Sequence, residues 1–335
     1  MPFPDLIQPL LEQRSLTSEE ATALMGWLLD GEATEAQIGG AITALRIKGV
    51  NSSELASFAE ALRSRAISLD LGDDVIDTCG TGGGIASFNI STAAAFVAAG
   101  AGARIAKHGN RSVTSKCGSA DVLEALGAPI SADLKKSRDI FEQAGIVFLF
   151  APAHHPGMKH VGKARKELGF RSVFNQLGPL ANPARARRQM IGVYSSELVE
   201  PMAEALAKLG AERALVVHGE DGLDEISPCV GTKAAFVMHG EVRTRRLTPG
   251  DFGNQGISAE ALAPGESPAE NAAILREAIS DVHSDRSRAV LPSASAAIWL
   301  AGLADDFVQA RDIALSVIKS GLATAKLATY VEASK

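Results

Sequence analysis

The sequence has few cysteines, no basic leader and no long apolar run. Its three cysteines, Cys79, Cys117 and Cys229, form an odd, scattered set without CxxC spacing. They predict neither a disulfide framework nor a zinc site, and they fit a reducing cytoplasm. The chain begins Met-Pro-Phe-Pro-Asp, without a basic segment before an apolar one, and its apolar runs are short or diluted by Ala and Gly. We therefore expect neither secretion nor a membrane span.

A surplus of positive charge is also missing. The chain has 33 Lys and Arg residues against 39 Asp and Glu residues, which gives a net charge of −6. A protein that binds nucleic acid of any sequence needs excess Lys and Arg to displace counterions, so we expect no nucleic-acid partner. The 46% hydrophobic content is enough for a large core, and a length of 335 residues favours two domains.

Three helix-capping patterns recur at seventeen-residue intervals near the N-terminus. They are Thr17 with Glu20, Thr34 with Gln37, and Asn51 with Glu54. Together with an amphipathic stretch over residues 4–14, they predict four short helices and a small helical domain over residues 1–72. A repeat array explains the pattern less well, because the helices share only their caps.

From residue 73 onward, short apolar runs alternate with helical segments. The predicted strands are 74–79, 103–107, 146–150, 188–194 and 213–218, followed by a hairpin of 234–238 and 241–247. The predicted helices are 91–100, 119–126, 132–144, 157–168, 196–209 and 267–281. This alternation predicts an α/β domain over residues 73–335 with a central, mostly parallel sheet and covering helices.

A glycine-rich stretch, GTGGG at 80–84, follows the first predicted strand. Glycines let backbone N–H groups approach a phosphate without obstruction by Cβ. The NIST stretch at 89–92 then opens an Ala-rich helix whose N-terminal dipole favours an anion. In isolation, an ordinary strand-to-helix turn explains GTGGG equally well, because it matches neither a Walker loop nor a dinucleotide fingerprint.

A second segment, KHGNRSVTSK at 107–116 followed by GSAD at 118–121, is locally basic. Between positions 107 and 119 it holds three cations, four hydroxyls and two glycines, a set that suits charge-assisted bonding to phosphate oxygens. A solvated basic loop is the alternative for this segment alone. The two segments lie about one helix and one strand apart, and together they predict a phosphorylated substrate.

The sequence resembles the anthranilate phosphoribosyltransferase family over nearly its whole length. The strings that carry the resemblance are GTGG (80–83), NIST (89–92), KHGNRS (107–112), GSADVLEALG (118–127), APAHHPGMKHVGKARKELG (151–169), FNQLGPLANP (174–183) and HGEDGLDEIS (218–227). The strings KHGNRS and GPLANP, in this order, are specific to the family. The related pyrimidine nucleoside phosphorylases share the architecture but not these two strings. The resemblance implies transfer of the phosphoribosyl group of phosphoribosyl pyrophosphate to anthranilate, with Mg²⁺, in tryptophan biosynthesis.

The resemblance also implies binding residues. For phosphoribosyl pyrophosphate these are Gly80, Thr81, Gly82, Gly83, Gly84, Ser87, Asn89, Ile90, Ser91, Thr92, Lys107, His108, Gly109, Asn110, Arg111, Ser112, Ser115 and Ser119. For anthranilate they are Gly80, Asn110, His155 and Arg165, and for the metal Ser91, Asp224 and Glu225. No side chain is expected to act as a general acid or base.

Two of these assignments also have a basis in the residues themselves. Asp224 and Glu225 follow an apolar strand and offer the hard oxygen ligands that Mg²⁺ prefers, although a solvated acidic turn is the alternative there. Arg165 can hold an aromatic carboxylate by a bidentate bond, and an exposed basic helix face is its alternative.

Two features concern the arrangement of the chain. The resemblance implies that the segment 157–185 joins the N-terminal helices, so that the active site lies in the cleft. Asn175 and the loop 178–183 are predicted to hinge the two domains or to shape this cleft, and a rigid turn without substrate contact explains them equally well. The resemblance also implies a homodimer through the N-terminal helices, with which apolar faces at Leu24, Trp27 and Leu28 agree.

The sequence departs from the family at two places. Gly84 stands where the family usually has an Asp after GTGG, which we expect to affect substrate and Mg²⁺ affinity, and residues 291–294 replace an asparagine-alanine run, a change expected to be structural. Two other functions stay open: a nucleoside phosphorylase of the same architecture, and a non-enzymatic paralogue that binds nucleic acid, against which the acidic net charge counts.

Overall fold

The structure is a computed structural model that describes residues 2–112, 116–130 and 133–335. It begins with four helices, α1 (Phe3–Leu11), α2 (Ser18–Leu29), α3 (Glu35–Lys48) and α4 (Ser52–Arg63). The three predicted capping boxes are confirmed, since the side chains of Thr17, Thr34 and Asn51 each accept a backbone N–H from the first turn of α2, α3 and α4. These caps satisfy N–H groups that the helix itself leaves without a partner.

Seven strands form one sheet. They are β1 (Ile76–Gly80), β2 (Ile105–Gly109), β3 (Ile146–Phe150), β4 (Arg188–Gly192), β5 (Arg213–Gly219), β6 (Thr232–Met238) and β7 (Glu241–Leu247). The order is β3-β2-β1-β4-β5-β6-β7, with β1 to β5 parallel and the β6–β7 hairpin antiparallel. A small helical domain beside a larger α/β domain with a mostly parallel sheet is therefore confirmed.

Helices cover both faces of the sheet. The helices that follow α4 in the chain are α5 (Ile90–Gly100), α6 (Ser119–Ala125), α7 (Leu134–Ala144), α8 (Ala151–His154), α9 (Met158–Leu168), α10 (Val173–Leu180), α11 (Val199–Lys208), α12 (Pro268–Ala278), α13 (Asp285–Leu300), α14 (Phe307–Lys319) and α15 (Leu322–Ser334). Short 3-10 turns lie at Ser196–Leu198, Pro249–Phe252 and Ala259–Leu262. Within the described parts of the chain, no helix is long and apolar enough to cross a membrane.

The side chains of the sheet alternate between two cores. On β4, Met190 belongs to one core and Ile191 to the other, as the two-residue period of a strand requires. One core lies against α5 and α12 to α15, and the other continues through α10 and α11 into the four N-terminal helices. Helix α9 packs against α2 and α3, so this short helix lies beside the N-terminal bundle although it follows β3 in sequence. The domain boundary at residue 72 stays a prediction.

Several local predictions need correction. The segment 157–185 is not one helix, because α9 ends at Gly169, whose φ of 67° is left-handed, and α10 begins after Ser172. The predicted loop 178–183 starts inside α10, which includes Pro179. Nor can Leu24 and Leu28 form a dimer face, because both are completely buried within the chain.

Candidate active site

Four parallel strands end in glycine at the same edge of the sheet: β1 at Gly80, β2 at Gly109, β4 at Gly192 and β5 at Gly219. In open α/β sheets, ligands bind in the crevice outside the carboxyl ends of the strands. The two predicted phosphate-binding segments and the Asp224 segment all leave the sheet at this edge. The topology therefore brings together residues that are separated by as many as 145 positions between Gly80 and Glu225.

The glycine-rich stretch forms a tight loop, which we call the glycine loop (residues 80–85). Gly82 and Gly83 have φ values of 66° and 88°, which residues other than glycine rarely adopt. The Thr81 N–H donates to the carbonyl of Gly192 at 2.8 Å, and the Ile85 N–H donates to the carbonyl of Gly222 at 3.0 Å. The loop is thus tied to the end of β4 and to the turn after β5.

Asp224 packs against glycines from two segments, the glycine loop and the end of β4. A Cβ on Gly192 would overlap the Asp224 carbonyl oxygen, and one on Gly84 would lie 2.6 Å from the Asp224 amide nitrogen and from Oδ1. A Cβ on Gly80 would lie 3.1 Å from Oδ2 of the same aspartate. Gly80 and Gly84 therefore make room for a carboxylate as well as for a phosphate. Gly192 was not predicted as a site residue, because nothing in the sequence near position 192 indicates that contact.

Glu225 is half-buried at the N-terminus of α5. The Ser91 N–H donates to its Oε1 at 3.1 Å, and the Ser293 hydroxyl donates to Oε2 at 3.3 Å. Lys107 Nζ donates to the Ser91 hydroxyl at 3.2 Å and also to the carbonyl of Thr78. Ser91, Lys107 and Glu225 therefore lie together, as the resemblance implies. Ser293, which lies in the stretch expected to be merely structural, contacts this cluster.

The electrostatics of the cluster favour an added cation. Burial and the neighbouring Asp224 carboxylate raise the pKa of Glu225 to about 7, and burial raises the pKa of Asp224. Burial lowers the pKa of Lys107. Two adjacent, partly buried carboxyl groups resist full ionisation unless a positive charge joins them.

The donor set suits Mg²⁺. Among the described residues there is no group of three or more His, Cys, Asp or Glu side chains that could hold a metal by itself. Mg²⁺ is commonly bound by one or two carboxylates together with waters and substrate phosphates, so two carboxylates and a hydroxyl fit a metal that arrives with a phosphorylated substrate.

The second predicted segment folds onto the start of α6. Arg111 makes two hydrogen bonds to Glu124, at 2.6 and 2.8 Å, and one of 3.0 Å to Asp121. Asp121 also accepts the backbone N–H of Ser112 at 3.0 Å and that of Gly118 at 2.9 Å. The guanidinium expected to meet a phosphate is thus already paired with two carboxylates in this structure.

The remaining predicted phosphate-binding residues have varied environments. The Asn89 side chain donates to the carbonyl of Cys117 at 3.1 Å, which ties the start of α5 to the second segment. The Ser119 hydroxyl donates to the carbonyl of Asn110 at 3.4 Å, close to Gly109. Ile90 and Thr92 are buried, and the Ile90 N–H donates to the carbonyl of Phe88. Ser87 is partly exposed, whereas Ser115 lies outside the described residues.

Helix α10 contacts two candidate binding residues, Arg165 and His108. The Arg165 guanidinium lies 5.2 Å from the centre of the Phe174 ring. The His108 Nδ1–H donates to the carbonyl of Gly178 at 3.1 Å, and the His108 and His155 rings meet edge to face at 5.1 Å. The predicted hinge loop 178–183 begins with three residues that belong to α10, and its Gly178 carbonyl accepts the hydrogen bond from His108.

Arg165 is a partly buried cation, and burial lowers its pKa. No carboxylate of the described residues forms an ion pair with it. Burial also lowers the pKa of His108 to about 3 and that of His155 to about 4. Both histidines are therefore neutral near pH 7, while Arg165 offers an uncompensated charge to an anionic ligand.

Arg171 is a contact residue that the sequence analysis did not identify. It lies between α9 and α10, and its Nη2 donates to the carbonyl of Gly83 at 2.6 Å. Its guanidinium lies 4.5 Å from the centre of the Tyr194 ring. The only sequence signal for this contact is an arginine two residues after Gly169, where α9 ends. That signal is too weak to predict a contact with Gly83.

Comparison with known proteins gives the class first. The model of the glycosyl transferase family a/b domain matches residues 72–324, and that of the glycosyl transferase family helical bundle domain matches residues 4–66. The fold and the site thus define a glycosyl transferase, in agreement with the predicted class of enzyme.

The relatives define the family more narrowly. The anthranilate phosphoribosyltransferase of Myxococcus xanthus is 48% identical over 99% of each chain. The crystal structure of the Thermus thermophilus anthranilate phosphoribosyltransferase superposes with a TM-score of 0.92 at 40% identity, covering 98% of this chain and 99% of that one. The Saccharomyces cerevisiae enzyme in complex with PRPP and Mg superposes with a TM-score of 0.89 at 29% identity, covering 99% and 97%. The chain belongs to the anthranilate phosphoribosyltransferase family, and the predicted resemblance is confirmed.

Proposed function

We propose that this chain transfers the phosphoribosyl group of phosphoribosyl pyrophosphate to the amine of anthranilate, releasing pyrophosphate, as a step of tryptophan biosynthesis. The observation that carries the proposal is the adjacent pair of half-buried carboxyl groups, Asp224 and Glu225, packed between the glycine loop and the start of α5. This pair needs a cation, and the glycine loop beside it suits the phosphate oxygens that would accompany that cation. Membership of the family supplies the identity of the two substrates.

The donor substrate binds across the strand ends. Backbone N–H groups of the glycine loop and the N-terminus of α5 face the phosphates, and Lys107 contributes a buried positive charge beside them. Ser91, Asp224 and Glu225 would hold Mg²⁺, which neutralises charge on the leaving pyrophosphate. Arg111 contributes little charge of its own while Glu124 and Asp121 remain bound to it.

The acceptor binds through its carboxylate. Arg165 is suited to a bidentate contact, because its guanidinium is stacked on Phe174 and has no protein carboxylate to satisfy it. Asn110, His155 and Gly80 complete the proposed acceptor site. The two buried histidines are neutral, so they shape this site without adding charge.

Chemistry at the anomeric carbon then depends on placement and electrostatics. Loss of pyrophosphate develops oxocarbenium character on the sugar, and an aromatic amine held in line attacks it with a lone pair that is already free. No strong general base is required. The absence of a convincing acid–base pair in the assigned residues is consistent with this mechanism.

The test is one assay with anthranilate and phosphoribosyl pyrophosphate, with and without Mg²⁺, following consumption of anthranilate. We expect turnover that depends on both substrates and on Mg²⁺. Parallel reactions with thymidine or uridine and phosphate measure nucleoside phosphorolysis. Phosphorolysis without anthranilate turnover would overturn the proposal.

We further propose a cytoplasmic homodimer. The N-terminal helices retain exposed apolar side chains, Leu11 at 64% and Ile47 at 70% exposure, on helices α1 and α3, which pack together. All three cysteines are free, which favours a reducing compartment. A monomer mass in light scattering at micromolar concentration would contradict the dimer.

A further inference from the structure

Arg171 is an exposed cation that is nevertheless fixed by two contacts. Its Nη2 donates to the Gly83 carbonyl at 2.6 Å, and its guanidinium plane rests on Tyr194 at 4.5 Å. Within the described residues it has no ion-pair partner. Its ordered contacts are therefore directed at the glycine loop and at the residue beside it, not at a surface acid.

The glycine loop is shaped to receive this side chain. A Cβ on Gly83 would lie 2.6 Å from Nη2 of Arg171, so only a glycine lets the guanidinium reach the backbone there. Tyr194, which supports the guanidinium, donates its N–H to the hydroxyl of Thr81 at 3.0 Å. One side of the loop is thus held by a connected set of contacts, which run from Gly83 to Arg171, then to Tyr194 and back to the loop at Thr81.

The opposite side of the same loop touches Asp224. Gly84 leaves no space for a side chain between the loop and the aspartate, and the Ile85 N–H donates to the carbonyl of Gly222 at 3.0 Å. Residues 80–85 of the glycine loop include no acidic or basic side chain. The hydrogen bond from Arg171 to the Gly83 carbonyl acts on the residue next to Gly84, in addition to the backbone hydrogen bonds of Thr81 and Ile85 that tie the same loop.

We propose that Arg171 is a positioning residue of the magnesium-dependent site. Through the carbonyl of Gly83 it holds the glycine loop against Asp224, without itself contacting the substrate. Arg171 follows Arg165 by six positions, so the segment that carries the acceptor arginine also determines the placement of the donor-binding loop. This inference rests on the proposed function and adds a residue to it.

The test is calorimetric titration of phosphoribosyl pyrophosphate into the parent protein and its variants, once with Mg²⁺ and once with a chelator. Loss of a charge-assisted hydrogen bond that shapes the metal site should weaken binding in Mg²⁺ roughly tenfold or more in Arg171→Ala. Binding without metal should change by less than about threefold, because the substrate itself loses no contact. Arg171→Lys keeps the charge but not the planar fork, so we expect it to recover only part of the Mg²⁺-dependent affinity.

Lys166→Ala is the matched control, since it removes an exposed cation of α9 that makes no hydrogen bond or ion pair with the described glycine loop; we expect the parent's affinities. Equal losses with and without Mg²⁺ would mean that Arg171 contacts the phosphates directly, and unchanged affinities would mean that it does not position the loop; either result overturns the inference. If Arg171→Ala does not fold, judged by its melting temperature, Arg171→Lys carries the same comparison. A parent protein that binds no phosphoribosyl pyrophosphate under either condition overturns the proposed function as well.

Discussion

Gly84 lies so close to Asp224 that a Cβ added to the glycine would be 2.6 Å from both the amide nitrogen and Oδ1 of the aspartate. Contacts of that length between a Cβ and a backbone atom require one of the two segments to move. The glycine at this position is therefore a steric requirement of the present structure.

Gly84→Ala and Gly84→Asp should both weaken Mg²⁺-dependent binding of phosphoribosyl pyrophosphate, the aspartate more strongly because it also adds a negative charge next to Asp224. Displacement of packed atoms of this kind costs about 1–3 kcal/mol. Calorimetric titration in Mg²⁺ measures the effect. Gly162→Ala on α9, where an added Cβ meets no other atom within 4 Å, is the control. Parent-like affinity in Gly84→Asp would show that the loop yields without disturbing the aspartate.

Asp224→Asn combined with Glu225→Gln should nearly abolish Mg²⁺-dependent turnover while leaving the fold intact. The amides keep the size of the side chains but remove the charges that a divalent cation needs. A Mg²⁺ titration of initial rates, with the melting temperature as a check on folding, compares the double variant with the parent protein. A double variant with the parent's Mg²⁺ profile would place the metal elsewhere.

Arg165→Ala should impair use of anthranilate far more than binding of phosphoribosyl pyrophosphate. Loss of a charge-assisted contact costs about 1.5–3 kcal/mol, which corresponds to roughly ten- to hundredfold in kcat/KM for anthranilate. Initial rates at varied anthranilate, together with calorimetry of the donor substrate, separate the two effects. The neighbouring exposed Lys163→Ala should behave as the parent protein, and equal effects of the two substitutions would contradict the assignment.

The free energy of unfolding should decrease as the pH falls, because two histidines, His108 and His155, are buried. Burial depresses the pKa of His108 to about 3 and of His155 to about 4, whereas the ordinary value is 6.5. Below pH 6.5 the unfolded chain therefore binds more protons than the folded one, so the stability contributed by the neutral rings is lost as the pH falls toward these folded-state values. From pH 7 to about pH 5.5, each histidine should lower the free energy of unfolding by about 1 kcal/mol.

Urea denaturation at several pH values tests this expectation. His155→Phe should reduce the slope of the unfolding free energy against pH. A loss of packing energy that does not depend on pH shifts the whole curve but leaves this slope unchanged. His283→Gln, which removes an exposed histidine, is the control. An unchanged slope in His155→Phe would mean that this imidazole enters the folded protein with its proton.

Local patterns predicted much of the fold because the interactions behind them are local. The capping boxes of α2 to α4 join residues three positions apart, and the strands of the parallel sheet are short apolar runs bounded by glycine. Helices α13 to α15 were not predicted. Helix α13 is buried on nearly every side, so it has no polar face from which a helical period could be read.

The site was predictable only where a motif carries it. Asp224, Glu225 and Ser91 were assigned to the metal through the resemblance, an assignment that stays a prediction, and the structure brings Glu225 and Ser91 within hydrogen-bonding distance. Gly192, Ser293 and Arg171 were missed because their contacts join segments that are far apart in sequence. No periodicity or local composition reports such a contact.

Because α9 packs against α2 and α3, the two proposed substrates are bound by different parts of the fold, the helical bundle and the sheet. The acceptor's carboxylate would be held from the helical bundle by Arg165, whereas the donor's phosphates would be held from the edge of the sheet. The distance between the attacking nitrogen and the anomeric carbon then depends on how the helical bundle packs against the sheet. No single binding residue sets this distance. A substitution that slides the bundle over the sheet would slow the reaction while both substrates still bound with undiminished affinity.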